Sequence, residues 1–362
     1  MTALADILRR RVAATGPITV ADYMRECLLN PEHGYYTTRD PLGAAGDFTT
    51  APEISQMFGE LVGLALAQAW LDQGGPTPLV LAEPGPGRGT LIADILRATR
   101  AVPGFRDAAQ VHLIEASPVL RAAQAEALAG HDVTWHARLS DLPQAPLFLI
   151  ANEFFDALPI RQFIRRGGGW AERMVGLVDG ALAFGLSDPA PLAALAHRLE
   201  DTTEGDMVET CPEAPPLMTE IATRIARHGG AALIIDYGDW RSRGDTLQAL
   251  RGHAFDPPLA HPGAADLTAH VDFEPLAKAT RAAGTAVAPL TPLGVFLERL
   301  GITPRAQALA RRLTGAAHTS HIAAHRRLTH PQEMGNLFKV LAVHPPGTPP
   351  PPGIAPATGA AP

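Results

Sequence analysis

Apolar positions recur in two rhythms along this chain. Leu4, Ile7, Leu8 and Val12 repeat at helical spacing and predict that residues 1–30 are helical, with Pro17 opening a second short segment. Residues 31–52, rich in Gly, Pro and Thr, read as a long functional loop. Pro52 and Glu53 precede an apolar run and signal a helix start; that helix runs to about Asp72 and stops at Gly74, Gly75 and Pro76. Beyond it the pattern alternates. Short apolar strands are expected at Leu79–Ala82, Val111–Ile114, Val133–His136, Leu147–Ala151, Ala231–Ile235, Thr285–Leu290 and Phe338–Val343, with helices at Thr90–Thr99 and Pro118–Leu128. Leu147–Ala151 is too apolar for an edge and belongs in the middle of a sheet.

Strand–helix alternation implies an α/β fold with a parallel, doubly wound, Rossmann-like sheet and right-handed crossovers. Two stretches break the rhythm. Residues 160–186 hold three β-like runs around Gly167-Gly168-Gly169 and Asp179-Gly180, an antiparallel β insertion. Residues 239–272 are a Gly/Pro-rich insertion. The expected organisation is an N-terminal helical cap and active-site loop over 1–78, a sheet domain over 79–344 with insertions at 160–230 and 239–272, and a disordered Pro-rich tail over 345–362.

Composition narrows the function. A net charge of −7 with no long basic stripe argues against a nucleic-acid partner. Cys27 and Cys211 lie far apart without metal-ligand spacing, so neither a disulfide framework nor a metal site is expected, and unpaired thiols fit a reducing compartment. No apolar run reaches membrane-spanning length, so membrane insertion is not expected, and Met1 to Thr15 lacks the apolar core of a secretory signal.

The chemistry gathers where strands end. Glu83-Pro84-Gly85-Pro86-Gly87-Arg88-Gly89-Thr90 is a strand, a tight turn and a helix start. Gly85, Gly87 and Gly89 allow positive φ and close ligand approach. A dinucleotide turn needs glycine where Thr90 stands. What remains is preceded by the acid Glu83, which suits a cationic ligand, and S-adenosylmethionine carries both a sulfonium and an ammonium. Glu115, after the second strand, is placed to accept both ribose hydroxyls, and Asp141, after the third, to meet the adenine amino group. The fourth strand leads into Asn152-Glu153-Phe154-Phe155-Asp156, where a methyl acceptor would meet the cofactor. Asn152 is grouped with the cofactor residues; Glu153, Asp156, Asp47 and His270 are the catalytic candidates. Asn152 and Asp156 also read as turn caps, Gly46–Gln56 as a lid or a capped turn, and Asp272 with Glu274 as a helix cap beside His270.

The chain resembles the MidA-like family, which includes a mitochondrial complex I assembly factor that methylates arginine. The resemblance runs from Ile18 to about Pro352 and is carried by Pro31–Tyr36, Gly46–Gln56, Glu83–Leu91, Asn152–Pro159, Asp266–Phe273 and Met334–Val340. One departure is Leu293, where similar proteins usually carry Gln. The resemblance implies a seven-stranded class I methyltransferase that uses S-adenosylmethionine. It further implies symmetric dimethylation of an arginine in the large hydrophilic subunit of respiratory complex I. A bacterial member would act in the cytoplasm, a eukaryotic one in the mitochondrial matrix, and a homodimer is left open. Three other readings remain: transfer to a small molecule or nucleic acid, cofactor-binding assembly without catalysis, and, weakest, a dehydrogenase.

Overall fold

The computed structural model describes residues 2–38 and 49–355. Two compact units can be distinguished. One comprises the described residues of Met1–Phe48 with Asp156–Ala214 and Arg241–Asp272; the other comprises Thr49–Phe155, Pro215–Trp240 and the described residues of Phe273–Pro362.

The second unit is built on one sheet. Its strands are β1 (Leu79–Pro84), β2 (Ala109–Ile114), β3 (Val133–His136), β4 (Leu147–Asn152), β5 (Gly230–Asp239), β6 (Ala286–Val287) and β7 (Phe338–His344). They lie in the order β6-β7-β5-β4-β1-β2-β3. From β5 to β3 every pair is parallel, in registers that set Gly230 beside Leu147 and Leu79 beside Ala109. β1 and β4 are buried along their whole length, because helices cover both faces of a parallel sheet. Helices α1 (Gln56–Asp72), α2 (Thr90–Ala98), α3 (Pro118–Ala127) and α4 (Ala214–His228) belong to this unit, apart from Ala214. Leu79, Leu81, Phe148, Ile150, Leu233 and Ile235, alternate positions of their strands, share one core with Phe58, Val62 and Leu66 of α1 and Ile95 of α2.

Three expectations are corrected here. The sheet is not parallel throughout: β7 runs antiparallel to β5 and β6. The sixth strand, expected over Thr285–Leu290, shrinks to Ala286–Val287, with Thr291–Pro292 pairing separately with β7, because prolines at 289 and 292 withhold ladder donors. Part of the tail is ordered: Ile354 is 8% exposed inside the core, and Gly353 packs so tightly that a Cβ there would come within 2.7 Å of Phe296. Residues 356–362 lie outside the described part. Between β6 and β7 run helices Leu293–Arg299, Ile302–Ala310 and Gly315–Thr329, with Leu293 and Phe296 wholly buried.

The first unit holds the expected meander, Arg161–Arg166, Gly169–Val178 and Ala181–Leu186, extended by Met207–Thr210 and Ile18–Thr19. The second insertion is more than a loop: Gln248–Arg251 pairs antiparallel with both Ala254–Asp256 and Asp266–Thr268. Leu4, Leu8 and Val12 form one face of the helix Ala3–Thr15 and pack with Tyr23, Met24, Val175 and Leu267.

Candidate functional site

β1 is flanked by β2 on one side and β4 on the other, so the chain leaves the sheet centre in both directions. Such a switch point opens a crevice beyond the carboxyl ends of the strands, where open α/β sheets bind ligands. Polar residues stand at or just past the ends of the strands bordering it: Glu83 on β1, Glu115 after β2 and Asn152 on β4.

β1 ends in Glu83 and Pro84, and the turn after it uses three left-handed glycines, with φ of 61° at Gly85, 54° at Gly87 and 83° at Gly89. Gly89 caps α2. At Gly85 a second constraint applies: a Cβ would stand 2.9 Å from the ring of Phe154. The turn is held from behind, Gly85 N–H donating to Ile114 O at 2.9 Å.

Glu83 is 3% exposed, and its Oε2 has no hydrogen-bond partner among the described residues. Burial alone, with no compensating charge, pushes its carboxyl up to about 8. On the neighbouring strand Asn152 is also buried; its Nδ2 donates to Glu153 Oε1 at 3.1 Å while its Oδ1 has no partner among the described residues. Two buried acceptors without donors, at the ends of adjacent strands, are costly in isolation. They suit a ligand that brings N–H or cationic groups. The amino-acid end of S-adenosylmethionine has that chemistry, so the residues present fit it.

Glu115, past the end of β2, is held at both oxygens: Ser117 N–H donates to Oε1 at 2.7 Å and Gln124 Nε2 to Oε2 at 3.1 Å. Burial raises its pKa, opposed by those hydrogen bonds. A carboxylate has about four acceptor positions, so each oxygen keeps capacity for a ribose hydroxyl. Asp141 lies on the single turn Leu139–Asp141, where its Oδ2 accepts from its neighbour Arg138 N–H at 3.2 Å. The carbonyls of that turn are gripped by the buried Arg224, which donates to Leu142 O and Ser140 O, each at 3.0 Å, and to Pro143 O at 3.1 Å.

Glu153 departs from ordinary backbone geometry, with φ of 49°. A non-glycine residue there stores strain, which persists where the surroundings over-determine it. Here they do. Glu153 N–H donates to Ile235 O at 2.9 Å, and its Oε1 accepts from Ala51 N–H at 2.9 Å as well as from Asn152. The following amides, Phe154 and Phe155, donate to Oδ2 of Asp236 at 3.2 and 2.9 Å, and Tyr237 N–H to its Oδ1 at 3.0 Å. Asp236 is wholly buried in β5. Nearby, Thr90 Oγ1 donates to Glu53 Oε1 at 2.5 Å, tying the start of α2 to the turn before α1.

The structure therefore brings Glu83, Gly85, Gly87, Gly89, Glu115, Asn152 and Glu153 to one edge of one sheet. Asp156 and His270 belong to the other unit. There Asp156 O accepts from Ala269 N–H at 3.0 Å, and His270 N–H donates to Thr246 Oγ1 at 2.9 Å. Tyr36 donates to Asp266 Oδ1 at 2.8 Å, and its phenol is raised by burial and by the charges of Asp266 and Asp156. Asp272 accepts from Ser242 N–H at 2.6 Å and lies 3.6 Å from Arg198. Asp47 lies outside the described residues. Sequence reasoning missed Gln124, Asp236 and Arg224. A signal existed for two of them: Gln124 falls one helical turn after the buried Leu120, and Asp236 follows the apolar run of its strand much as Glu83 does.

Among the described residues no group of three or more His, Cys, Asp or Glu side chains could hold a metal ion, and no helix is long and apolar enough to cross a membrane.

Residues 61–291 match the model of a family described as S-adenosyl-L-methionine-dependent methyltransferase. The chain is 38% identical to the mitochondrial protein arginine methyltransferase NDUFAF7 of Danio rerio, over 93% of this chain and 85% of that protein. It is equally identical to the Homo sapiens protein of the same name, over 93% and 82%. A Burkholderia thailandensis protein crystallised with S-adenosyl-homocysteine superposes with a TM-score of 0.82 at 32% identity, over 94% of this chain and 92% of that one.

Proposed function

The chain belongs to the S-adenosyl-L-methionine-dependent methyltransferase family, and from that premise we propose that it methylates a protein arginine. The observation that carries this reading is Glu153, a carboxylate fixed just past the end of the central strand, next to the strand that carries the buried Glu83. The relatives named protein arginine methyltransferase support it.

Bound S-adenosylmethionine supplies an electrophilic methyl on a sulfonium. Glu83 and Asn152 would hold its amino-acid end, the glycine turn its backbone-facing side, and Glu115 its ribose. Catalysis then rests on positioning and electrostatics. An arginine side chain is cationic at ordinary pH and its delocalised nitrogens are weak nucleophiles. Glu153 orients the guanidinium, concentrates positive charge away from the attacking nitrogen, and accommodates the proton released after transfer. The fixed backbone at Glu153 matters because a carboxylate that swings loses that bias.

The finer acceptor we infer is an arginine of the large hydrophilic subunit of complex I, dimethylated symmetrically, in the cytoplasm of a bacterial cell or in the mitochondrial matrix. Mass spectrometry of that subunit with and without this protein tests the acceptor. Glu153→Gln tests the mechanism: it should bind S-adenosylhomocysteine within twofold of wild type yet slow transfer by about 10²-fold. Transfer at the wild-type rate would remove Glu153 from the reaction.

A further inference from the structure

Gln124 is wholly buried on α3, and each of its three hydrogen bonds reaches a different element. Its Oε1 accepts from the indole Nε1–H of Trp135 on β3 at 2.8 Å. Its Nε2 donates to the carbonyl of Gly87 in the glycine turn at 2.7 Å and to Glu115 Oε2 at 3.1 Å. The amide has only one workable orientation. An indole N–H can only donate and a peptide carbonyl can only accept, so turning the amide over would break both contacts.

Glu115 accepts from Ser117 N–H on one oxygen and from Gln124 on the other. Two pinned oxygens fix the plane of the carboxylate, and with it the direction of the lone pairs left for a diol. The same amide sets the position of the Gly87 carbonyl, so the turn and the carboxylate are held in one frame. The backbone of Gln124 also abuts the turn: a Cβ on Gly89 would lie 3.6 Å from Gln124 Cα.

We propose that Gln124, locked by Trp135, is a positioning residue for cofactor selection: it orients Glu115 toward the ribose hydroxyls and couples that grip to the glycine turn. This rests on the reading that Glu115 takes the ribose. The probes are S-adenosylhomocysteine and its 2′,3′-dideoxy analogue, and the readout is calorimetric affinity, with thermal unfolding of each ligand-free variant measured alongside. Wild type should prefer the hydroxylated ligand, and Glu115→Gln should lose most of that preference. Gln124→Met keeps length and removes every hydrogen bond; it should weaken S-adenosylhomocysteine about tenfold, as loss of a bond to a charged group predicts, and the dideoxy analogue less than twofold. Trp135→Phe, which removes the contact holding Oε1 and loosens the amide, should show the same selective loss at about threefold, and it carries the test if Gln124→Met does not fold. Equal weakening of both ligands by these variants, or none, overturns the proposal while leaving the Glu115 reading intact. A wild type indifferent to the missing hydroxyls overturns both.

Discussion

Glu83 is buried, its Oε2 has no partner among the described residues, and burial pushes its carboxyl up to about 8; at that value about nine molecules in ten of the ligand-free protein are expected to hold it protonated at pH 7. An ammonium needs the carboxylate. Binding S-adenosylhomocysteine near neutrality should therefore release about 0.9 proton at pH 7. The ionised fraction rises from about 1% at pH 6 to about half at pH 8, so affinity should climb by about fiftyfold across that window and level off above it. Calorimetry in two buffers of different ionisation enthalpy counts the proton directly. Glu83→Gln should bind weakly, with no proton release and no slope. The same group has a linked effect on stability. Its folded pKa lies above the ordinary 4.5, so folding takes up a proton. The neutral form's contribution is fully present below about 4.5 and is lost as pH rises through about 8, at most about 5 kcal/mol in total. The ligand-free protein should be more stable at pH 5.5 than at pH 8, and Glu83→Gln should flatten that difference. An affinity unchanged between pH 6 and 8, with no proton released, would refute the assignment of Glu83 to the ammonium.

Asp236→Ala strips the acceptors from three amides beside Glu153 and should lower unfolding stability by about 2–4 kcal/mol in denaturant titration; Asp236→Asn, which keeps one acceptor oxygen, should recover part of it. Gly85→Ala meets both a left-handed φ and the ring of Phe154 at 2.9 Å. It should cost about 1–3 kcal/mol and weaken S-adenosylhomocysteine at least tenfold by calorimetry. Arg224→Met releases the carbonyls around Ser140 and Leu142 and leaves them without that donor. It should cost about 1–3 kcal/mol in the same titration.

The sheet was legible because its inner strands are buried on both faces, which leaves unbroken apolar runs such as Leu147–Ala151. The placement of Glu83, Glu115 and Glu153 at the carboxyl edge of the sheet was legible for a related reason: where a strand stops is local information, and a polar residue at the end of an apolar run falls at that edge. The roles of Gln124 and Asp236 were not, because apart from the Tyr237 amide their side-chain partners lie 9 to 82 positions away. Asp236 follows an apolar run as Glu83 does, yet its carboxylate turns to backbone amides, and only three dimensions separate the two. The ordering of residues 345–355 was hidden by composition: one isoleucine, Ile354, inserts into the core from a stretch otherwise made of Pro, Gly, Thr and Ala.

Selection for stability alone would not keep glutamate at position 153. Its backbone sits where glycine is at ease and a side chain is not, and the Phe154 and Phe155 amides would still bond Asp236 with another residue there, although the bonds of Glu153 Oε1 to Ala51 and Asn152 would be lost. A library sorted only for heat resistance should drift toward glycine or asparagine at 153 and toward glutamine at 83. The variants enriched there would be sturdier proteins and poorer methyltransferases, and the positions where a stability sort and an activity sort disagree would trace the site without any ligand present.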